Sequence, residues 1–510
     1  MIHTFHEAIG AVEAYSPAEE RFNRRRRTAG LGLAPVAFAA TLVSPLPGLG
    51  AQAHHMAAVV ALVAVLWLTE ALPLAVTALL GPMLAVLLGV APARTALAPF
   101  ADPVIFLFIG SFMLAEAMFV HALDRRVAFT ALASSFVGAS LARLVLVYAA
   151  LATAISMWVS NVATTAMMFP IALSVIAYLA RTGAAADPRF RRFTLALMLL
   201  TSFGPSVGGM ATPVGTPPNL IGISILERHG GVPVSFFRWV GVGLPIVAVL
   251  FLFLFAYFYL TCLRGLTLPA STSDHVRLEL ESLGPLTPGQ RNVMFAFGVT
   301  ILLWISPGLL ALGGPAGVAL SIAMSEAIPE GVAAMVGAIL LFVLPIDWRS
   351  RRFTLTWSEA VRIDWGIILL YGGGLAIGEL AFSSGLAEAA GHGLAAWLPS
   401  HSTFSLTLLF TIFSILVSEV TSNTAAATMI VPIAAAVSLA SGVRPLEPAL
   451  GATLGASMGF IMPVSTAPNA IVYSSGHVPI TAMIRHGLVL DLAAAIVIVP
   501  MVLLFGGLLF

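Results

Sequence analysis

The chain has 510 residues, 59% of them hydrophobic and 9% charged, with a mean hydropathy of +1.00 and a formal charge of +1 at pH 7. That balance marks an all-α polytopic membrane protein, and no basic stretch is interleaved with aromatics as nucleic-acid binding would need. All 24 basic residues are arginine, which excludes a lysine nucleophile or phosphate-loop lysine, and the single Cys262 closes no disulfide.

Residues 1–30 read as a cytoplasmic N-terminal segment, ending near Arg24-Arg25-Arg26-Arg27 with no evident cleavage site. Residues 31–55 supply a first transmembrane helix, Leu31–Leu49, and a loop. Met56–Val90 is apolar for too long for one upright helix and is broken by Glu70 and Pro73. Splitting it there leaves every arginine cluster on the cytoplasmic side except the lone Arg94; a single tilted helix would put Arg125, Arg126 and Arg143 outside.

Val104–Val120 follows, and then an expected re-entrant hairpin at about 141–180, with apolar arms around Ser160-Asn161-Val162. Each arm is shorter than the ~20 residues of a comfortable crossing. Non-helical backbone survives at membrane depth only when it is buried in protein or lines a cavity, so the polar tip should be a site.

Phe193–Leu226 reads as a helix interrupted at Gly204-Pro205 and at Thr212–Asn219, and Val234–Leu263 returns to a cytoplasmic linker, 264–289. Val293–Leu310, Val332–Leu344 and Trp365–Phe382 are the next crossings. A second hairpin, about 403–440, carries the polar heptad Ser418–Thr424. Leu450–Ser474 is a second interrupted helix and Ile484–Phe510 the last crossing, about 11 transmembrane helices in all.

The halves echo each other. Ser160-Asn161 matches Ser422-Asn423 at an offset of 262, and Thr216-Pro217-Pro218-Asn219 matches Thr466-Ala467-Pro468-Asn469 at an offset of 250. The arginine bias around the two hairpins is opposite. An inverted-topology repeat is therefore expected, 56–263 against 290–510, with the site near the midplane where the halves meet.

Half-helix N-termini offer unpaired N–H groups to an anion, while C-terminal carbonyls, hydroxyls and amide oxygens suit a hard cation such as Na⁺. Ser156 and Ser160, spaced i, i+4, are expected to share a helix face, as are Ser418 and Ser422. Glu419 is expected to face away from Ser418, and Asp364 to sit at a helix start.

Trp67–Pro73, the paired tips, Gly215–Asn219 and Pro463–Asn469 together make the chain from about Trp67 to Phe510 resemble the divalent anion:sodium symporter family. The resemblance implies a homodimeric elevator-type transporter in the cell's inner (plasma) membrane, N-terminus cytoplasmic, with Na⁺ as coupling ion and no other cofactor. It implies one Na⁺ site at Ser156, Ser160, Asn161 and Gly215 and another at Ser418, Thr421, Asn423 and Ser465. Substrate carboxylates would meet Asn161, Asn423, Thr424 and Thr466. The chain departs from the family pattern at Val162, where a threonine is usual, and at Ala467, where a proline is.

The expected function is sodium-coupled symport of a divalent anion, a C4-dicarboxylate such as succinate or malate. The alternatives are dicarboxylate exchange, or transport of sulfate or a tricarboxylate. A channel predicts one continuous pathway instead of opposed hairpins. An enzyme needs a nucleophile with a base or paired catalytic aspartates, and the serines of these tips have no His or Lys nearby.

Overall fold

The computed structural model describes residues 17–138, 140–181, 187–264 and 272–510. Parts of the expected N-terminal segment (1–16) and of the expected linker (265–271) lie outside these residues. Apart from a two-stranded antiparallel ribbon, β1 (Pro345–Asp347) with β2 (Arg352–Phe353), the described chain is helical and irregular. Ten of its helices are long and apolar enough to cross a membrane, or eleven if one bent pair counts as a span.

Helix α1 (Pro17–Val43) runs unbroken across the expected boundary at residue 30, and it is not among those ten because its first third is charged. Helices α2 (Ala51–Thr69) and α3 (Leu74–Leu87) are separated at Glu70–Pro73, as the split reading expects. Glu70 takes a left-handed conformation, φ 48°, and its N–H caps the end of α2. Pro73 then stands at the start of α3, where no helical N–H is needed.

The short α4 (Ala93–Leu97) leads to α5 (Pro103–Val120), which Asp102 caps through the N–H of Val104 at 2.8 Å. After α6 (Leu123–Leu132) come α7 (Leu141–Ser156) and α8 (Asn161–Arg181), the arms of the first hairpin. Helix α9 (Pro188–Gly208) is the most enclosed of the helices long enough to cross a membrane, its apolar stretch being 94% buried. The interruption expected at Gly204-Pro205 is absent: Pro205 sits inside the helix near its end, and the chain leaves helical geometry only after Gly209–Ala211. Beyond the break lie α10 (Pro217–His229) and α11 (Phe236–Phe258).

Helix α12 (Thr272–Ser282) occupies part of the expected linker and precedes α13 (Pro288–Ala311). The chain between the expected crossings 293–310 and 332–344 forms another helix, α14 (Gly314–Ala327), bent by 62° against α15 (Glu330–Val343). The short α16 (Trp357–Ala360) is followed by α17 (Trp365–Ser383) and α18 (Leu386–Ala395). The second hairpin is α19 (Thr403–Val420) with α20 (Asn423–Ala440). Helix α21 (Leu446–Ala456), a break, α22 (Ala467–Ser474) and α23 (Ile480–Leu509) complete the chain.

Two apolar clusters hold these helices. A small one joins α1, α2 and α3 to α17 and touches α20 at Ala425. The large one gathers both hairpins and both broken helices around α9. The candidate site lies between them.

Candidate functional site

A cavity of about 680 Å³ is lined by both hairpin tips, Ser160-Asn161-Val162 and Ser422-Asn423-Thr424. Both helix breaks join them, through Thr216-Pro217 and Pro463–Pro468. Its remaining wall is Arg27, Glu70–Leu74, Asp364, Ile367, Leu370, Ala470 and Ile471. Segments more than 200 residues apart thus converge on one space. Asn161, Val162, Asn423, Thr424, Ser465, Thr466 and Ala467 all line it. Ser156, Ser418 and Thr421 are buried behind the tips, and Gly215 behind the first break.

The tips are built alike. Ser156 donates its hydroxyl to Asn161 Oδ1 at 2.8 Å, and Ser418 donates to Asn423 Oδ1 at 2.8 Å. Ser160 accepts the N–H of Ala163 at 3.3 Å and Ser422 that of Ala425 at 3.2 Å, so both serines cap the second arm of their hairpin. This corrects the expectation of paired hydroxyls on one helix face. Helix α7 ends at Ser156 and α19 at Val420, and each capping serine lies beyond the end, in the turn. The Thr421 hydroxyl also turns away from the tip, donating to Trp67 O at 3.1 Å.

The breaks are equally alike. Asn219 donates through Nδ2 to Gly209 O at 2.8 Å and Thr212 O at 2.7 Å. Asn469 donates to Gly459 O at 2.8 Å and Met462 O at 3.0 Å. Both clamps tie a carboxamide to carbonyls ten and seven residues earlier, holding open the loop that the broken helix leaves. Ser465 adds bonds to Gly459 O and Met462 O, each 2.8 Å. Thr466 accepts the N–H of Asn469 at 3.3 Å and keeps its own proton to donate.

Oxygens therefore gather where tip meets break. A Cβ on Gly209 would run into Asn161 Oδ1 and come within 3.1 Å of Gly215 O, and Gly215 itself abuts Ser156 O. On the other side, a Cβ on Gly459 would lie 3.3 Å from Asn423 Oδ1, Ser418 O and Ser418 Oγ. Neutral carbonyl, carboxamide and hydroxyl oxygens around a small gap are the donor set of a hard monovalent cation. Among the described residues no cluster of His, Cys, Asp and Glu could hold a metal ion.

Three features were not read from the sequence as site elements. The Asn219 and Asn469 clamps closed both break motifs in the sequence but served there only to register the repeat. Glu419 does turn away from the cavity, and it anchors the second break by accepting the N–H groups of Phe460 (2.7 Å), Ile461 (3.0 Å) and Met462 (3.2 Å). Arg26 reaches from α1 to Glu70 at 2.7 Å and to Val420 O at 3.2 Å, tying the N-terminal helix to the second tip. Asp364 caps α17 through the N–H of Ile367, as expected, and also faces the cavity.

The family described as "Sodium:sulfate symporter transmembrane region" matches residues 26–510. The chain is 33% identical over 481 residues to "Sodium-dependent dicarboxylate transporter SdcS" of Staphylococcus aureus (strain USA300), covering 93% of this chain and 90% of that protein. The protein of the same name from strain bovine RF122 / ET3-1 matches at 33% over 478 residues. In fold, the chain is similar to the crystal structure of the Alcanivorax borkumensis YdaH transporter, with a TM-score of 0.54 at 15% identity over 96% of this chain and 98% of that one. The chain belongs to the sodium:sulfate symporter family, the divalent anion:sodium symporters that its tip and break motifs resemble, and is a membrane transporter, not an enzyme.

Proposed function

We propose that the chain is a sodium-coupled symporter of a divalent anion, and that the anion is a C4-dicarboxylate such as succinate or malate. The observation that carries this is the single cavity shared by both hairpin tips and both helix breaks. Its two sets of neutral donors, Asn161 with Thr216 and Asn423, Thr424 with Thr466, come from opposite halves of the chain. Such a pair suits a solute with two separated negative groups. Half-helix N-termini at Pro217 and Ala467 add partial positive charge there.

One Na⁺ is assigned to Ser156, Asn161 and Gly215, with Ser160 supplying backbone because its hydroxyl is a cap. A second is assigned to Ser418, Thr421, Asn423 and Ser465. Thr421 serves through its backbone, since its hydroxyl is engaged by Trp67. Bound cations beside the anion neutralise it at low dielectric, which makes each binding depend on the other.

The matching Ser–Asn bonds and Asn clamps support two inverted repeats, and the arginine bias supports re-entrant hairpins opening to opposite faces. In this reading α1–α5 and α13–α18 are a static scaffold, and the hairpins with the broken helices move against it as an elevator. The protein works as a homodimer in the plasma (inner) membrane with its N-terminus cytoplasmic.

The test is uptake of labelled succinate into proteoliposomes under an inward Na⁺ gradient, with sulfate and citrate as competitors. Na⁺-stimulated uptake is expected without internal anion. A requirement for internal dicarboxylate would instead establish exchange, and competition by sulfate alone would make sulfate the substrate.

A further inference from the structure

The ribbon β1–β2 and its turn lie far in sequence from both tips and contribute nothing to the cavity between them. Three arginines stand here in four residues, Arg349, Arg351 and Arg352, and none makes an ion pair among the described residues. Of the two nearby acids, Asp347 is occupied by the N–H of Arg349 at 2.9 Å and the hydroxyl of Ser350 at 2.7 Å, and Glu359 by the N–H and hydroxyl of Thr356 at 2.9 and 2.7 Å.

Ser350, Arg351, Arg352 and Thr356 form the polar rim of a second cavity of about 530 Å³, whose apolar lining is Phe342, Phe353 and Leu355. Arg351 holds a left-handed backbone, φ 51°, where glycine would be unstrained. The segment is pinned in place: Thr354 N–H donates to Leu344 O at 3.0 Å, Asn292 Nδ2 to Thr354 Oγ1 at 2.8 Å, and His121 Nε2 meets Thr354 O at 2.7 Å.

The cavity has an apolar approach. Val332, Val336, Ile339 and Val343 of α15 are all exposed. Their spacing of four, three and four residues puts them on one helix face, a stripe that ends at Val343, one residue past the cavity-lining Phe342. Trp357, its ring 6.4 Å from that of Phe342, and Trp348, next in sequence to Arg349, are 65% and 74% exposed, as tryptophans are where hydrocarbon gives way to headgroups. An unpaired cationic rim over an apolar floor, fed by an apolar stripe, has the polarity sequence of one amphiphile: phosphate above, acyl chains below.

We infer that this cavity is a binding site for an anionic phospholipid, whose phosphate meets Arg351 and Arg352 and whose chains lie along Val332, Val336, Ile339 and Val343 of α15. Arginine suits the role because its planar fork offers several N–H donors to phosphate oxygens. The site is independent of the transported solute, so its failure would leave the transport reading untouched.

The test uses purified, delipidated full-length protein, adding phosphatidylglycerol, phosphatidylcholine or inorganic phosphate and following thermal unfolding and native mass spectra. A ligand of the folded state raises the melting temperature by mass action. Phosphatidylglycerol is expected to raise it beyond phosphatidylcholine or free phosphate and to remain as a mass adduct. Arg351→Gln/Arg352→Gln is expected to lose that increment and the adduct while keeping wild-type transport. Equal shifts with both lipids, an equal shift with inorganic phosphate, or a phosphatidylglycerol shift retained in the double variant would overturn the proposal. So would a stripe shielded by a second copy, seen as dimer dissociation when Val336 and Ile339 are replaced by serine.

Discussion

Val162 lies beside Asn161 in the cavity wall and has no proton to give a carboxylate. A hydrogen bond to a charged group is worth ~1.5–3 kcal/mol, and every ~1.4 kcal/mol is tenfold in affinity. Val162→Thr is therefore expected to lower the KM for succinate about tenfold or more; an unchanged KM would show that position 162 does not touch substrate. Away from the cavity, Asp124 is buried at the start of α6, with Oδ1 lacking a partner. Burial pushes its carboxyl from the ordinary 3.8 up to about 6. A carboxyl raised in this way favours the fold below pH 3.8 and loses that contribution as pH rises through about 6. Each pH step of one between those values removes ~1.4 kcal/mol. Asp124→Asn should be more heat-stable than the parent at pH 7.5, with the gain fading below pH 5; an equal gain at both would contradict this. Asn161 and Asn423 were legible because a carboxamide between two apolar arms has few other uses. Glu419 was not, because its partners are backbone N–H groups 41 to 43 residues on, which no local pattern announces.

Among the elements, the bounds of the hairpin arms were read almost to the residue, because a polar heptad inside apolar sequence punctuates more strongly than any propensity, but the arms are longer than expected: α8, α19 and α20 are among the helices long and apolar enough to cross a membrane. Proline misled once. Pro205 was expected to break α9, yet a proline near a helix end disturbs few bonds, and the break falls later, after Gly209–Ala211. Between two expected crossings lies α14, a helix the sequence reading did not name, with Pro315 in its first turn, where proline starts a helix. The two breaks differ in tightness, and that difference is testable. Gly209 has no room for a Cβ against Asn161 Oδ1, whereas a Cβ on Gly459 would sit 3.3 Å from Asn423 Oδ1, Ser418 O and Ser418 Oγ, a tight contact that shifts of a few tenths of an ångström relieve. Gly209→Ala should lose most Na⁺-dependent transport and Gly459→Ala should keep a measurable share, read as uptake against Na⁺ concentration. The reverse order would remove the first gap as a cation site.

For the whole molecule, Arg126 of α6 donates to Gln290 Oε1 and to the carbonyls of Leu283, Gly284 and Pro285, joining the middle of the first half to the turn that leads into the second. Long-range placement of α1 was not legible: nothing in an Arg-rich N-terminal stretch says that Arg26 will bond Glu70 and Val420 O, or that Arg27 will line the cavity. Arg27 is half-exposed, so its effect on an arriving dianion is one of a screened surface charge, ~1 kcal/mol or less. Arg27→Gln should raise the KM for succinate a few-fold at low ionic strength, with kcat unchanged and the effect erased by added choline chloride; insensitivity to salt would rule out that role.

The central claim is that two tips from opposite halves hold one anion beside Na⁺. It is tested most directly by calorimetric titration of succinate into purified protein, with and without Na⁺, for the parent, Asn161→Ala and Asn423→Ala. The account predicts Na⁺-dependent binding in the parent and its loss in each single variant. Parent-like binding in either variant, or binding indifferent to Na⁺, would contradict it.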